Sequence, residues 1–483
     1  MNQKRTPLFD QLKKHSSQHP ISFHVPGHKY GELLSYGESE FFKDILKLDA
    51  TELGSLDDLH SPGGVILESQ RLLANLYGVS TSYFLVNGST AGNLAMIMAA
   101  AEENDTVLVQ RNCHKSILNG ISLAKADPVF LAPEYNHDWG VAGGVPFETV
   151  KEAIGRYPHA KALILTYPNY YGMVSDLEQI ITHAHHYGIP VLVDEAHGAH
   201  FIGAKCFPAS AVQLKADIVI QSAHKTLPAM TMGAYLHFNS KLVNEKKLSS
   251  YLGLLQSSSP SYPIMASLDM ARAYLASFSD KDADKLYEKI ENFRNALNRI
   301  RGIKVLSYKN NIGDPLKVTI QSTTSLSGYE LQQILEQHGI YAEMADPYNV
   351  LLVFPLLKSN MDYSVEGVIN CLEKELKTYI TTEDPKKKII FSKEPVSELS
   401  FNQKKREGHT KKTVLLEDSV GRISAQQVTP YPPGIPLLFP GEPIHKEDIQ
   451  NIRILLEAGA RFQNEENIQQ GTIKIYEQLE EVL

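Results

Sequence analysis

Between residues 81 and 240, short apolar runs alternate with amphipathic stretches, and this alternation restricts the fold more than any other feature of the chain. The candidate strands are Tyr83–Val86, Thr106–Val109, Pro128–Leu131, Lys161–Thr166, Pro190–Asp194, Asp217–Gln221 and Gly233–His237. Helical periodicity occupies Ala91–Ala101, Phe147–Arg156 and Leu177–Tyr187 between them. A strand that is apolar along its whole length needs cover on both faces. The pattern therefore predicts an α/β fold with a mostly parallel, doubly wound sheet of seven strands. The stretch contains neither GxGxxG nor GxxxxGK[ST], so the dinucleotide and P-loop readings lack their phosphate cradles.

Two of these runs end in chemistry. Val191-Leu192-Val193 ends at Asp194, followed by Glu195-Ala196-His197. Asp217–Gln221 runs into Ser222-Ala223-His224-Lys225. On adjacent parallel strands, Asp194 and Lys225 share the C-terminal edge of the sheet, where open α/β sheets bind ligands. A lysine and a carboxylate at such an edge suit pyridoxal phosphate (PLP). The lysine forms a Schiff base, and the acid keeps the pyridine nitrogen protonated.

A phosphate site is also written into the chain. The first strand leads through Asn87-Gly88 to Ser89-Thr90, then into a helix. The hydroxyls and the free N–H groups of the first helical turn suit an anion. His114, in Arg111-Asn112-Cys113-His114-Lys115-Ser116, follows the second strand at the same edge, where an imidazole can lie against a cofactor ring. The loop Tyr167–Gly172 is expected to line the pocket. His183, His185 and His186 read as a solvated helix surface.

The flanks divide into an N-terminal segment (1–80), the PLP-binding large domain (81–280), a small α/β domain (281–381), and a linker with a C-terminal domain (382–483). In the first, His24, His28, Asp57 and Asp58 match no common metal-ligand spacing, so loop residues framing a pocket are expected there and no metal. In the last, the basic clusters at 386–388 and 404–406 lack interleaved aromatics and read as solvated linker. Five prolines within Pro430–Glu442 make a rigid segment able to hold Glu442 in one place. The final residues read as helical.

Partners and compartment follow from composition. A net charge of -8 gives no electrostatic reason to expect nucleic acid or an anionic membrane. No apolar run reaches membrane-spanning length. The N-terminus shows no secretory apolar region, and Cys113, Cys206 and Cys371 form no CxxC, so a cytoplasmic protein is expected.

Taken together, the motifs resemble those of the Orn/Lys/Arg decarboxylase family, PLP enzymes of fold type I. The matching segments are His24–Lys29, Asn87–Thr90, Arg111–Ser116, Asp194–Gly198, Ser222–Lys225 and Tyr431–Pro436, in family order and nearly end to end. The resemblance implies decarboxylation of arginine, lysine or ornithine to its amine, with arginine slightly preferred, feeding polyamine metabolism. It implies that Lys225 carries PLP and Asp194 pairs with the pyridine nitrogen. Ser89, Thr90, Ser222 and His224 would bind the phosphate end, His114 would stack on the ring, and His197 would lie beside the cofactor. Glu442, in Pro440-Gly441-Glu442, would approach the distal cation of the substrate. A homodimer or dimer-based oligomer is implied, with the Ser257–Ser259 loop reaching the partner's phosphate. The first matching motif begins at His24, so the N-terminal wing domain of long family members is expected to be missing. A PLP aminotransferase would share the same cofactor residues, and a silent PLP-binding regulator is a further alternative.

Overall fold

A computed structural model describes residues 1–34, 37, 39–381, 394–401, 406, 408–431, 434–462 and 466–477. The basic runs at 386–388 and 404–405, with Pro432 and Pro433, lie outside the described residues. The chain divides into two compact units, one of residues 1–100 and 190–280, the other of residues 101–189 and 281–483.

Seven of the strands follow in chain order as β1 (Thr81–Leu85), β2 (Thr106–Gln110), β3 (Asp127–Leu131), β4 (Ala162–Thr166), β5 (Val191–Asp194), β6 (Ile218–Gln221) and β7 (Ala234–Phe238). All seven lie within two residues of the apolar runs that predicted them. Later strands are β8 (Ile303–Val305), β9 (Lys317–Ser322), β10 (Met344–Ala345), β11 (Asn349–Val353), β12 (Val396–Glu398), β13 (Lys411–Leu415) and β14 (Thr472–Tyr476).

In the first unit the strand order is β1-β7-β6-β5. β5 and β6 are parallel, with Asp194 opposite Ile220. β7 is antiparallel to both β6 and β1, so β1 points the same way as β6. The C-terminal ends of β1, β5 and β6 therefore lie at one edge. β5, β6 and β7 are buried along their whole length, with Leu192, Val193, Ile220 and Leu236 among their apolar side chains, and β1 adds the buried Phe84. Helix Gly88–Ala100 packs on them through Gly92, where an added Cβ would sit 2.6 Å from Leu85 Cδ1 and 3.0 Å from Ile220 Cδ1. Helix Pro7–Ser17 joins this unit by its buried Leu8 and Leu12, with Leu8 N donating to Asp269 Oδ2 at 3.1 Å.

In the second unit the order is β4-β2-β3-β12. β2 is parallel to β4 and β3, whereas β12 adds antiparallel to β3. β12 is the eighth strand beyond the expected seven. Its short, mixed sequence Val396-Ser397-Glu398 carries no strand signal of its own and is held by the edge it completes. The small antiparallel sheet β8-β9-β11-β10 is covered by helix Gly328–Gln337, on which helix Glu366–Glu375 packs. The closing residues are not wholly helical. Helix Lys446–Glu457 is followed by β14, which pairs antiparallel with β13. Alternation decides this, for Ile473 and Ile475 are buried and Lys474 between them is exposed. β12 and the first residues of β13 fall within 382–412, the stretch expected to be a solvated linker, so part of that stretch is strand.

Among the described residues, no helix is long and apolar enough to cross a membrane. The loop acids near the N-terminus are structural. Asp57 accepts from the backbone N–H groups of Gly63, Gly64, Ile66 and Leu67 and so caps helix Val65–Tyr77.

Candidate functional site

The shared edge of β1, β5 and β6 brings together most of the residues singled out by sequence. After β1 the chain turns at Gly88, whose φ of +75° favours glycine, and Ser89 enters the first turn of helix Gly88–Ala100. After β6, Ser222 leads into the single turn Ala223–Thr226, which carries His224 and Lys225. Ser222 Oγ donates to Ser89 Oγ at 2.8 Å, so two hydroxyls from distant segments meet beside the start of a 13-residue helix. His224 Nδ1 lies 3.1 Å from the Gly233 carbonyl, which fixes its ring. Thr90 is exposed one residue further along the helix.

At the end of β5, Asp194 is 3% exposed. Its Oδ2 accepts from Asn93 Nδ2 at 3.0 Å and its Oδ1 from Ala196 N at 3.2 Å. His197, on the turn that follows, lies with Nε2 3.0 Å from Lys225 Nζ. An anion end, a buried carboxylate and a lysine amine paired with an imidazole thus occur at one edge of one unit. This donor set fits PLP, whose phosphate, pyridine nitrogen and aldehyde call for those three partners.

Sequence reasoning missed Asn93. It stands four residues after Ser89, on the same helical face, and that spacing was the available signal. It also missed a buried network behind Asp194. Glu195 is fully buried and accepts from Ser210 Oγ at 2.7 Å, Ala211 N at 2.7 Å and Gln221 Nε2 at 2.5 Å. Gln221 Oε1 then lies 3.1 Å from His237 Nε2, and His237 Nδ1 lies 2.8 Å from Ser82 Oγ. The amide's orientation makes Nε2 of His237 the donor and leaves Nδ1 to accept from Ser82. Burial agrees, for it pushes the His237 imidazole down to about 3 and keeps it neutral. Burial also pushes the Glu195 carboxyl up to about 7, against the pull of its three donors.

His114 and Glu442 belong to the second unit. His114 caps helix Lys115–Ala124, its Nδ1 lying 2.8 Å from Ser116 Oγ. Glu442 is engaged by Arg111, with Nη2 2.7 Å from Oε2 and both side chains buried, and it also accepts from Phe439 N at 2.8 Å. Arg111 additionally donates to the Leu437 carbonyl at 2.8 Å and lies over the Phe130 ring, 4.8 Å from its centroid. In the first unit, Ser257 N donates to Asn87 Oδ1 at 3.2 Å.

Comparison with known proteins agrees with this chemistry. Residues 6–312 match the family description "Orn/Lys/Arg decarboxylase, major domain", and residues 387–474 match "Orn/Lys/Arg decarboxylase, C-terminal domain". The uncharacterised protein YaaO of Bacillus subtilis (strain 168) is 45% identical, the match covering 98% of each chain. An arginine decarboxylase of the same organism is 34% identical over 97% of each. In structure, the Francisella novicida lysine decarboxylase LdcF superposes with a TM-score of 0.80 at 23% identity, over 98% of this chain and 81% of that one. PLP is the cofactor of these enzymes, and the chain is an amino-acid decarboxylase acting on a basic substrate. It belongs to the Orn/Lys/Arg decarboxylase family.

Proposed function

We propose that the protein decarboxylates arginine to agmatine, feeding polyamine metabolism, and that it works in the cytoplasm as a homodimer. The observation that carries the site assignment is the shared edge of the first unit, where Asp194, the Lys225–His197 pair and the Ser89–Ser222 pair meet. The preference for arginine rests on the 34% identity to an arginine decarboxylase over nearly the full length of both chains. Cys113, Cys206 and Cys371 are widely spaced and form no CxxC, which supports a reducing compartment.

The residues divide the work. Ser89, Thr90, Ser222 and His224 bind the phosphate end, aided by the helix N-terminus. Lys225 provides the amine that anchors the cofactor. Asp194, held by Asn93 and the Ala196 N–H, keeps a proton on the pyridine nitrogen. PLP, when bound, supplies the electron sink for the pair released as the α-carboxylate departs. Lys225 or His197 returns a proton to Cα, since the two share one across 3.0 Å. The family resemblance implies that His114 would stack on the ring.

The test is mass spectrometry of products after incubating the PLP-loaded protein with arginine, lysine and ornithine together. Agmatine as the dominant product is expected. Cadaverine or putrescine in its place would reassign the substrate, and a keto acid would replace decarboxylation with transamination.

A further inference from the structure

The buried network behind Asp194 touches none of the groups proposed to hold the cofactor, yet it joins the segments that carry them. Glu195 stands between Asp194 and the turn that bears His197. Its backbone N–H donates to the Ile220 carbonyl at 2.8 Å, and its own carbonyl accepts from Gly198 N at 2.9 Å. The side chain packs so closely against this turn that a Cβ on Gly198 would sit 2.6 Å from Glu195 Cγ. Glu195 Oε2 reaches Gln221, the residue that precedes Ser222 on the way to Lys225.

The other end of the network grips the same turn. Tyr77 donates its hydroxyl to the Ala199 carbonyl at 2.6 Å and stacks its ring on His237, the centroids 4.1 Å apart. His237 in turn holds Gln221 and Ser82, the latter on β1. The turn from 195 to 199 is thus fastened at both ends to one hub, and the ends of β5 and β6 are fastened to each other. All of these residues belong to the first unit.

Burying a carboxylate among neutral donors costs stability that apolar side chains would not. What the carboxylate supplies is direction. Oε1 accepts from Ala211 N, and Oε2 accepts from Ser210 Oγ and Gln221 Nε2, so three donors fix its plane. Such precision matters beside reacting groups, where a misplacement of about 1 Å costs roughly 100-fold in rate.

We infer that Glu195 is a positioning residue for the decarboxylation: through Gln221 it sets the spacing of His197 from Lys225 and of Asp194 from Ser222. This role rests on the assignment of PLP to Lys225.

The test uses the full-length, PLP-loaded protein. Glu195→Gln sets an N–H against an N–H whichever way its amide turns, at Ala211 or at Gln221. Adding Gln221→Glu restores a matched amide and carboxylate in reversed order. In Glu195→Gln, kcat is expected to fall about 20-fold with KM within about twofold, and the PLP dissociation constant, read from visible absorbance, to rise about tenfold. Both should return to within about threefold of wild type when Gln221→Glu is added. In a His197→Asn background, Glu195→Gln is expected to lower kcat by less than about threefold more, because the contact it sets is already gone.

A merely structural loss would act alike in both backgrounds. Equal fold losses there, a swapped pair no better than Glu195→Gln, or a single variant with wild-type kcat and PLP affinity would each overturn the role. Should Glu195→Gln fail to fold, Gln221→Met breaks the same link from the other side, and a loss of about tenfold in kcat with the same dependence on His197 is expected. Equal losses in the two backgrounds overturn the role here too. Lys225→Ala separates the two readings. If the absorbance of the lysine-bound cofactor survives that change, the cofactor assignment has failed and the positioning role falls with it. If the absorbance is lost and Glu195 shows no coupling to His197, the positioning role alone falls.

Discussion

His197 Nε2 lies 3.0 Å from Lys225 Nζ, so the amine proposed to anchor the cofactor is hydrogen-bonded to a buried imidazole. Replacing His197 by Asn removes the proton partner and leaves the lysine in place. We expect kcat to fall about 100-fold, within the range of general acid–base contributions. The visible absorbance of the lysine-bound cofactor should persist. Steady-state kinetics beside that spectrum check the point, and a kcat within threefold of wild type would deny His197 the role.

Asp194 and Asn93 should separate by degree. Asp194→Ala removes the carboxylate proposed to keep the pyridine nitrogen protonated, and little activity is expected to survive even with excess PLP. Asn93→Ala leaves the carboxylate but deletes one of its two hydrogen bonds, and a loss of about tenfold in kcat is expected. Assays across a PLP titration distinguish weaker cofactor binding from lost chemistry.

Glu195 makes a prediction about stability and pH. Its carboxyl rises from an ordinary 4.5 in the unfolded chain to about 7 in the folded one. The folded state therefore binds the extra proton between these values, and this group's contribution to stability falls as pH rises from 4.5 to about 7, then levels off. The span corresponds to about 3 kcal/mol. Glu195→Gln removes the titration, so its melting temperature should gain on wild type as pH rises through that window. Thermal unfolding measured at several pH values gives the difference, and a pH-independent offset would contradict the assignment.

The Arg111–Glu442 pair is a test of structural work at a buried site. Arg111→Ala strands a buried carboxylate, and a stability loss of about 3–5 kcal/mol is expected. Glu442→Gln should be milder, with KM for the basic substrate unchanged. Denaturant unfolding together with KM decides between a structural role and a substrate contact.

How much of this was legible depends on distance along the chain. β1 to β7 were readable because short strands in the interior of a covered sheet are apolar along most of their length, the antiparallel β7 included. Helix Phe147–Arg156 was placed to the residue, since its buried Val150, Ala153 and Ile154 mark one face. β12 and the β13–β14 pair were not readable. Their strand character comes from partners far away in sequence, Leu415 for instance lying opposite Thr472. The site follows the same rule. Asp194 and Lys225 end apolar runs and announce themselves locally. The Glu195–Gln221–His237–Ser82 chain links four positions through side-chain contacts that no local pattern encodes. Glu442 was visible as a carboxylate on a rigid segment, but Arg111, its partner, comes from 331 residues earlier.

The order of strands in the first unit sets a schedule for synthesis. β1 reaches β6 and β5 only through β7, which stands between them. β7 is also the last of the four to leave the ribosome, ending at Phe238. Ser89 and Asn93, made early, thus wait for nearly a third of the chain before they meet Ser222 and Asp194. A truncated or stalled product that stops short of β7 carries every residue assigned here to PLP in this unit, yet has no scaffold on which to assemble them. Cofactor uptake is therefore a report on completed long-range folding, and scarcity of PLP would be felt by the newly folded chain, not by the nascent one.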